Sequence, residues 1–126
     1  MSENRYETAV AHYFEAWNTT GSAGELAKAV EAAWSENGTY TDPMGDVAGY
    51  EAIAGYIAGA HAQFPGYAYR LEGAVDGHHD VIRFRWELVS VADGSAPVAG
   101  SDVVTLAGDG RVASVIGFLD RVPPTA

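Results

Sequence analysis

The sequence contains no cysteine and few basic residues. The absence of cysteine excludes disulfide bonds, thiolate catalysis and cysteine-ligated zinc. Lysine and arginine together number 7, against 17 aspartate and glutamate residues, which gives a net charge of −10. Binding to nucleic acid needs a basic stripe that displaces counterions from phosphates, and no window of the chain holds one. We therefore expect no nucleic-acid partner.

Long apolar runs are also absent from the sequence. Nowhere do about 18 apolar residues follow one another, and the N-terminus lacks the basic and then apolar order of a signal peptide. We therefore expect a cytoplasmic protein with no membrane partner. The chain has no glycine-rich phosphate loop, no nucleophile elbow and no carboxylates at metal-ligand spacing. Neither a metal nor a cofactor is predicted.

The composition that remains is that of one folded domain. The chain has 126 residues, of which 48% are apolar and 19% are charged. We expect a single domain over 1–126, with a core from about 6 to 121 and a tail over 122–126. At this length folding hides about two thirds of the surface of the unfolded chain. Such a core is large enough to hold a pocket.

The first half of the chain shows helical periodicity. Four large residues recur at spacings of four, three and four on one helical stripe: Tyr6, Val10, Tyr13 and Trp17. This spacing predicts a helix over about 3–17. Ser22 and Glu25, three residues apart, form a capping-box pattern that begins a second helix. Trp34 is predicted to lie on the buried face of that second helix.

A short strand separates the second helix from a third. Residues 35–38 have turn chemistry, and the strand is predicted over 39–41, where Asp42 and Pro43 end it. A loop follows. Apolar residues at helical spacing then predict a third helix over about 50–63.

The second half of the chain changes to period two. Alternation of apolar and polar residues predicts four strands, over about 67–72, 80–91, 100–107 and 111–119. The last two strands are joined by a tight turn of Gly108, Asp109 and Gly110. Helices placed before an antiparallel meander in this way predict an α+β fold.

Asp102 is the first candidate for chemistry. It alternates in phase with Val104 and Leu106, so its side chain is expected on an apolar face of the sheet. Burial there would raise the pKa of the carboxyl group and keep it protonated near neutrality, as a hydrogen-bond donor. The alternative is a solvated position near a strand end, or a pairing with arginine.

Tyr13 and Asp42 are the second and third candidates. Tyr13 lies on the buried stripe of the first helix, where a phenol usually needs a partner for its hydroxyl group. Asp42 precedes Pro43, which holds the backbone of Asp42 extended, at the mouth of any pocket that the helices enclose. The alternatives are a tyrosine that is only part of the core and an Asp-Pro pair that is only a turn.

Histidines and a charged strand face supply weaker candidates. His61 falls at the end of the third helix and is either a pocket residue or a core histidine. His78 and His79 lie in a hairpin turn where adjacent side chains diverge, so joint metal binding is not expected. A further group lies opposite the aromatic face of its strand and is explained by an exposed or subunit-facing set of ion pairs: Arg83, Arg85 and Glu87.

Four segments of the chain resemble SnoaL-like domains of the nuclear transport factor 2-like superfamily. They are residues 34–43, 64–66, 100–104 and 109–112. The resemblance extends over about 6–121. It implies a cone-shaped α+β fold, with three N-terminal helices packed on a curved, mostly antiparallel sheet that encloses a pocket. It does not imply one function, because the superfamily includes several kinds of enzyme as well as binding proteins.

Among these proteins, the chain is most similar in mechanism to ketosteroid isomerase. That resemblance implies that Asp42 is the base, and that Tyr13 and a protonated Asp102 form the oxyanion hole. Trp34 and Ile57 stand where some such isomerases have supporting tyrosines, although Tyr56 lies one position away.

Two other activities of the superfamily match less well. The His and Asp set of SnoaL-like polyketide cyclases is not clearly kept. Limonene epoxide hydrolases have an Asp-Arg-Asp arrangement, but Asp102 lacks an arginine two positions before it. Gly117 stands where the second Asp of that arrangement is expected.

These observations lead to an isomerase hypothesis. The protein would move a proton alpha to a carbonyl group in a small apolar ketone, steroid-like or polyketide, without a cofactor. The alternatives are a non-catalytic protein that binds small molecules, or a cyclase or hydrolase of the same fold. We expect a homodimer formed through the sheet. The side chains expected to contact the ligand are Trp17, Trp34, Tyr56, His61, Tyr67, Phe84, Trp86, Ile116 and Phe118.

Overall fold

The computed structural model describes residues 4–123, which contain three helices and one six-stranded sheet. The helices are α1 (Arg5–Asn18), α2 (Ala23–Ala33) and α3 (Tyr50–Gln63). The strands are β1 (Trp34–Asp42), β2 (Gly45–Ala48), β3 (Tyr67–His78), β4 (Val81–Ser90), β5 (Val98–Leu106) and β6 (Val112–Arg121). The predicted first residue of the first helix and residues 124–126 of the predicted tail lie outside the described residues.

Local capping fixes where the first two helices begin. The Asn4 side chain accepts hydrogen bonds from the backbone N–H groups of Tyr6 and Glu7, which would otherwise lack partners. The predicted capping box is present at α2. The Glu25 N–H donates to Ser22 Oγ at 3.1 Å, and the Ser22 N–H donates to Glu25 Oε1 at 2.9 Å. Helix α2 therefore begins where the capping box predicts, and α1 begins at Arg5, after the Asn4 cap.

The sheet order is β2-β1-β6-β5-β4-β3, and β3 to β6 form the predicted antiparallel meander. The pairing of β1 with β6 is parallel, so the strand between the helices joins the far end of the meander. The sheet is curved and does not close on itself. The α+β architecture predicted from the sequence is therefore confirmed.

The region between α2 and α3 corrects three predictions. Trp34 begins β1 rather than ending α2, because its backbone is extended, although its side chain is fully buried. The predicted turn at 35–38 lies within β1, as an irregularity in its pairing with β6. Part of the predicted loop is strand β2, which is too short for alternation to indicate and forms by pairing with β1.

The core lies between the three helices and one face of the sheet. Its largest fully buried side chains come from both layers and include Trp34, Ile53, Ile57 and Ile82. Burial of side chains of this size stabilises the fold by about 1.5–3 kcal/mol each. No helix within residues 4–123 has the length and apolar character needed to cross a membrane.

The other face of the sheet carries the predicted ion pairs. Arg83 Nε lies 3.1 Å from Asp76 Oδ2, and Arg85 Nη2 lies 3.6 Å from Glu72 Oε1. Glu87 contacts the guanidinium groups of two further arginines. These side chains lie away from the core, and exposed pairs of this kind add about 0–1 kcal/mol each.

Candidate active site

A cavity of about 510 Å³ lies between α1, α3 and the core-facing side of the sheet. Its volume falls within the range of about 300–1,000 Å³ that is usual for sites that bind small molecules. Most of its wall is apolar, with aromatic side chains from α1, β1, α3, β3 and β4. Asp42 and Asp102 are the only charged residues of the described chain that line it.

Tyr13 and Asp102 form a buried pair on the wall of this cavity. The Tyr13 hydroxyl donates a hydrogen bond to Asp102 Oδ2 at 2.6 Å, across 89 positions of the chain. Their side chains meet because Tyr13 lies on the buried stripe of α1 and Asp102 on the inward phase of β5. Both residues are almost fully buried, with 3% and 2% of their surfaces exposed.

Burial determines how the pair is protonated. Removal of the carboxyl group from water raises the pKa of Asp102 to about 6, and the negative charge of Asp42 acts in the same direction. Hydrogen bonds from Tyr13 and Trp86 oppose this rise. Burial also raises the pKa of Tyr13 well above its usual value, so its hydroxyl stays protonated. Both protonation states of Asp102 are therefore accessible near neutral pH.

Asp42 ends strand β1 at the cavity and accepts four hydrogen bonds. Its Oδ1 accepts from the N–H groups of Met44 at 2.8 Å and Gly45 at 3.1 Å, and from the Tyr56 hydroxyl at 2.6 Å. Its Oδ2 accepts from the Tyr40 hydroxyl at 2.6 Å. The backbone contacts arise from the turn between β1 and β2, which begins at the Asp-Pro pair.

Tyr40 is a site residue that the sequence analysis missed. It lies two positions before Asp42 on the same strand, so their side chains share one face of the sheet. Period two along this strand is therefore the pattern that would have identified it. Burial raises the pKa of both Tyr40 and Tyr56, which keeps their hydroxyl groups protonated as donors to Asp42.

Gly117 allows the two acidic side chains to approach each other. It pairs with Asp102 across β5 and β6. A Cβ atom built at Gly117 would lie 2.8 Å from Asp102 Oδ1 and 3.4 Å from Asp42 Cβ. Asp102 Oδ1 and Asp42 Cβ can therefore be no further apart than the sum of these two distances. The two acidic residues are therefore neighbours at the cavity, and a side chain at position 117 would intrude between them.

The structure brings together six of the residues singled out from the sequence. Six of the predicted site residues line the cavity: Tyr13, Trp17, Asp42, Tyr56, Trp86 and Asp102. The Trp17 ring packs against two other aromatic rings of the wall, Tyr40 and Tyr69, with centroid distances of 5.4 Å and 5.0 Å.

Four other predicted ligand contacts lie outside the cavity wall. Trp34 and Phe84 are core residues whose rings support the Tyr13 ring, at centroid distances of 5.4 Å and 5.5 Å. His61 is part-buried, and its Nε2 lies 2.6 Å from the Trp17 carbonyl oxygen, which links α3 to α1. Tyr67 packs edge-on against Phe64. These residues are supports of the cavity rather than parts of its wall.

Ile116 and Phe118 are on the wrong face of the sheet for ligand contact. They are 41% and 57% exposed on the outer side, whereas Val115, Gly117 and Leu119 face inward. Apolar residues occupy both faces of β6, so the alternation of the sequence leaves its phase undefined. A glycine at the central inward position also removes the side chain that would have marked the inner face.

Several side chains of the wall were not predicted as ligand contacts. Apart from Tyr40, they include Phe14, Met44, Phe64, Tyr69, Leu88 and Leu119. Leu88 alternates in phase with the buried residues Ile82 and Phe84 of β4, which is the signal available for it. Within residues 4–123, no three histidine or acidic side chains converge to hold a metal ion.

Comparison with known proteins identifies the family of the chain. The family model of the SnoaL-like domain matches residues 10–115. A SnoaL-like protein of Agrobacterium tumefaciens strain C58, provisionally named an isomerase, is 40% identical in sequence. Its structure superposes with a TM-score of 0.86, over 92% of this chain and 97% of that one.

More distant structures share the fold alone. A protein of Jannaschia sp. CCS1, provisionally named a SnoaL-like polyketide cyclase, is 19% identical, with a TM-score of 0.74 over 95% of this chain and 91% of that one. An NTF2-like protein of Cytophaga hutchinsonii is 16% identical, with a TM-score of 0.65 over 95% of this chain and 93% of that one. No match was found among curated proteins. The chain belongs to the SnoaL-like family of proteins with the nuclear transport factor 2-like fold.

Proposed function

We propose that the protein is an isomerase that moves a proton alpha to the carbonyl group of a small apolar ketone. The observation that carries the proposal is the juxtaposition of Asp42 with the Tyr13 and Asp102 pair in one largely apolar cavity. Such a site places two carboxyl groups and a phenol on the wall of one cavity, where one can act as a base and the others as hydrogen-bond donors. The relative from Agrobacterium tumefaciens, provisionally named an isomerase, supports the same reaction class.

In the proposed reaction the two acids have different roles. Asp42 removes a proton from the carbon next to the carbonyl group and returns it to another carbon of the same conjugated system. For the second role, the Tyr13 hydroxyl turns from Asp102 Oδ2 to the carbonyl oxygen, and the protonated form of Asp102 donates to the same oxygen while it carries negative charge. General base catalysis contributes about 10²–10⁴-fold, and a donor to the oxyanion about 10²–10³-fold. No electron acceptor is consumed, because the proton only changes its position.

The environments of the two carboxyl groups agree with this division of roles. Asp102 is buried, and its raised pKa of about 6 makes its protonated form accessible near neutral pH. Asp42 is only part-buried and accepts hydrogen bonds from four donors, as a carboxylate requires. Enzymes commonly use two acidic side chains in such different surroundings, one as the proton donor and the other as the base.

The charge of the wall also favours a neutral substrate. Within the described residues that line the cavity, the charged groups are both acidic. A carboxylate or phosphate on the ligand would be repelled by Asp42 and would find no cation to pair with. An uncharged ketone, steroid-like or polyketide, meets an aromatic wall instead.

The test is isomerisation of a 5-ene-3-ketosteroid, followed by the absorbance of the conjugated product. Wild type is compared with Asp42→Asn and Asp102→Ala, and with Asp46→Asn as a control that removes one exposed charge. We expect losses of at least about 10²-fold in kcat for the first two variants and wild-type rates for the control. Equal background rates for all four proteins would remove this proposal.

A second candidate is a protein that binds apolar ligands without chemistry. It is favoured by the four hydrogen bonds that Asp42 accepts, because a carboxylate with so many donors can serve to fix the turn between β1 and β2 instead of reacting. Exchange of alpha protons in D₂O discriminates between the two candidates. A bound ketone that keeps all its alpha protons would support simple binding.

A further inference from the structure

We propose that Asp42 transfers the proton through Oδ2 alone, and that Tyr40 is a positioning residue that controls this oxygen. The proposal rests on the proposed function and deepens it. It concerns which atom of the base reacts and which neighbour tunes that atom.

The first step of the argument is that Oδ1 has no capacity left. A carboxylate oxygen offers about two lone-pair sites. Oδ1 already accepts from three donors, namely the N–H groups of Met44 and Gly45 and the Tyr56 hydroxyl. Two of these donors belong to the turn between β1 and β2 and cannot rotate away. A proton arriving at Oδ1 would have to displace one of them.

The second step is that Oδ2 keeps one lone pair. Tyr40 is its one hydrogen-bond donor among the described residues, at 2.6 Å. The remaining lone pair of Oδ2 is the one that can receive a proton from a molecule in the cavity. Asp42 lines that cavity, and protonation of this lone pair displaces neither of the N–H donors of the turn.

The third step is that Tyr40 is held in place by its neighbours. It is 4% exposed, and its ring packs between Trp17 at 5.4 Å and Tyr56 at 5.3 Å, measured between ring centroids. Its hydroxyl group therefore stays directed at Oδ2. In the proposed step the substrate C–H bond breaks, the O–H bond forms on Oδ2, and the electron pair moves to the carbonyl oxygen. Tyr40 keeps its own proton throughout.

Tyr40 is expected to orient Asp42 and to stabilise its charged form. Its hydroxyl bond to Oδ2 is strongest when Asp42 is charged and weakens when Oδ2 takes a proton. Removing the hydroxyl group should therefore make Asp42 accept a proton at higher pH. The titratable groups that face Asp42 are Tyr40 on the same strand, Tyr56 on α3, Tyr69 on β3 and Asp102 on β5.

The test follows the carboxyl carbon of Asp42 by carbon-13 NMR against pH in the protein without ligand. The variants are Tyr40→Phe and Tyr56→Phe, and Asp42→Asn assigns the resonance. Tyr69→Phe is the matched control, since it removes a hydroxyl group from the same cavity without removing one of the donors to Asp42.

We expect the transition in Tyr40→Phe to move upward relative to wild type, because the charged carboxylate loses a hydrogen-bond donor. The shift in Tyr56→Phe should be smaller, because Oδ1 retains two backbone donors. Tyr69→Phe should show no shift. If Tyr40→Phe fails to fold, 3-fluorotyrosine placed at position 40 gives the opposite test, because a stronger donor should move the transition downward.

An unmoved transition in Tyr40→Phe, or a larger shift in Tyr56→Phe, would overturn the proposal. The measurement needs no turnover, so a failed steroid assay would remove the proposed function and leave this result to be judged by itself. Where turnover is observed, the acid limb of the kcat/KM profile should shift with the NMR transition in Tyr40→Phe.

Discussion

Replacement of Asp102 by asparagine tests how burial acts on this site. Asparagine has nearly the same shape and can still accept a hydrogen bond from Tyr13, but it never carries charge. In the wild type, burial raises the pKa of Asp102 from 3.8 to about 6. The substitution therefore removes the cost of a buried negative charge and changes little else.

The magnitude and its sign follow from this difference in pKa. Because the folded state holds the proton more tightly, the contribution of Asp102 to stability is complete below about pH 4 and is lost as the pH rises through about 6. A difference of about two units corresponds to about 3 kcal/mol. Relative to wild type, Asp102→Asn should therefore gain about 3 kcal/mol in free energy of unfolding between pH 4 and pH 8.

The assay is urea unfolding of both proteins at closely spaced pH values, with Asp46→Asn as the control. Carboxyl groups far from this site affect wild type and variant alike, so the difference between the two proteins reports position 102 together with its coupling to Asp42. The control removes one exposed charge and should give a difference that is constant across the range. A difference for Asp102→Asn that stays within about 0.5 kcal/mol from pH 4 to pH 8 would refute the reasoning.

Three further predictions use the same structure. Tyr13→Phe removes the donor to buried Asp102 and should cost about 2 kcal/mol at pH 8 but less at pH 4, measured by urea unfolding. Gly117→Ala places a Cβ atom 2.8 Å from Asp102 Oδ1 and should cost about 1–3 kcal/mol, whereas no loss of stability would contradict the packing described. We propose that the homodimer expected from the sequence forms through the outer face of the sheet, which carries Arg83, Arg85 and Glu87 and the exposed apolar side chains of Ile116 and Phe118. Wild type should sediment as a dimer and Phe118→Asp as a 13.3 kDa monomer, and a wild-type monomer at high concentration would contradict the proposal.

Much of the fold could be predicted because its elements carry local patterns. The capping box at Ser22 begins α2, the third helix has the predicted bounds, and alternation gives the four strands of the meander. Strand β2 could not be predicted, since four residues with little apolar character form a strand only when β1 is available for pairing. The irregularity at 35–38 likewise has turn chemistry in sequence and strand geometry in the sheet.

The site could be predicted where local periodicity shows which way a single side chain points. Asp102 was expected on an apolar face, and the structure places it there with a raised pKa. Tyr13 was expected on a buried stripe, and it lies on one. Ile116 and Phe118 were misassigned because β6 is apolar on both faces. Tyr40 was missed although its spacing from Asp42 was available.

The sequence by itself determined the local geometry of this protein: the helical stripe of Tyr13, the inward phase of Asp102 and the extended end of β1 at Asp42. These follow from periodicity, capping and proline, which act within a few residues. Only the tertiary structure decided that Tyr13 meets Asp102, and that Tyr40 and Tyr56 both reach Asp42. The physical reason is that these contacts depend on sheet register and helix packing, and on a glycine at position 117 that leaves room for two acids.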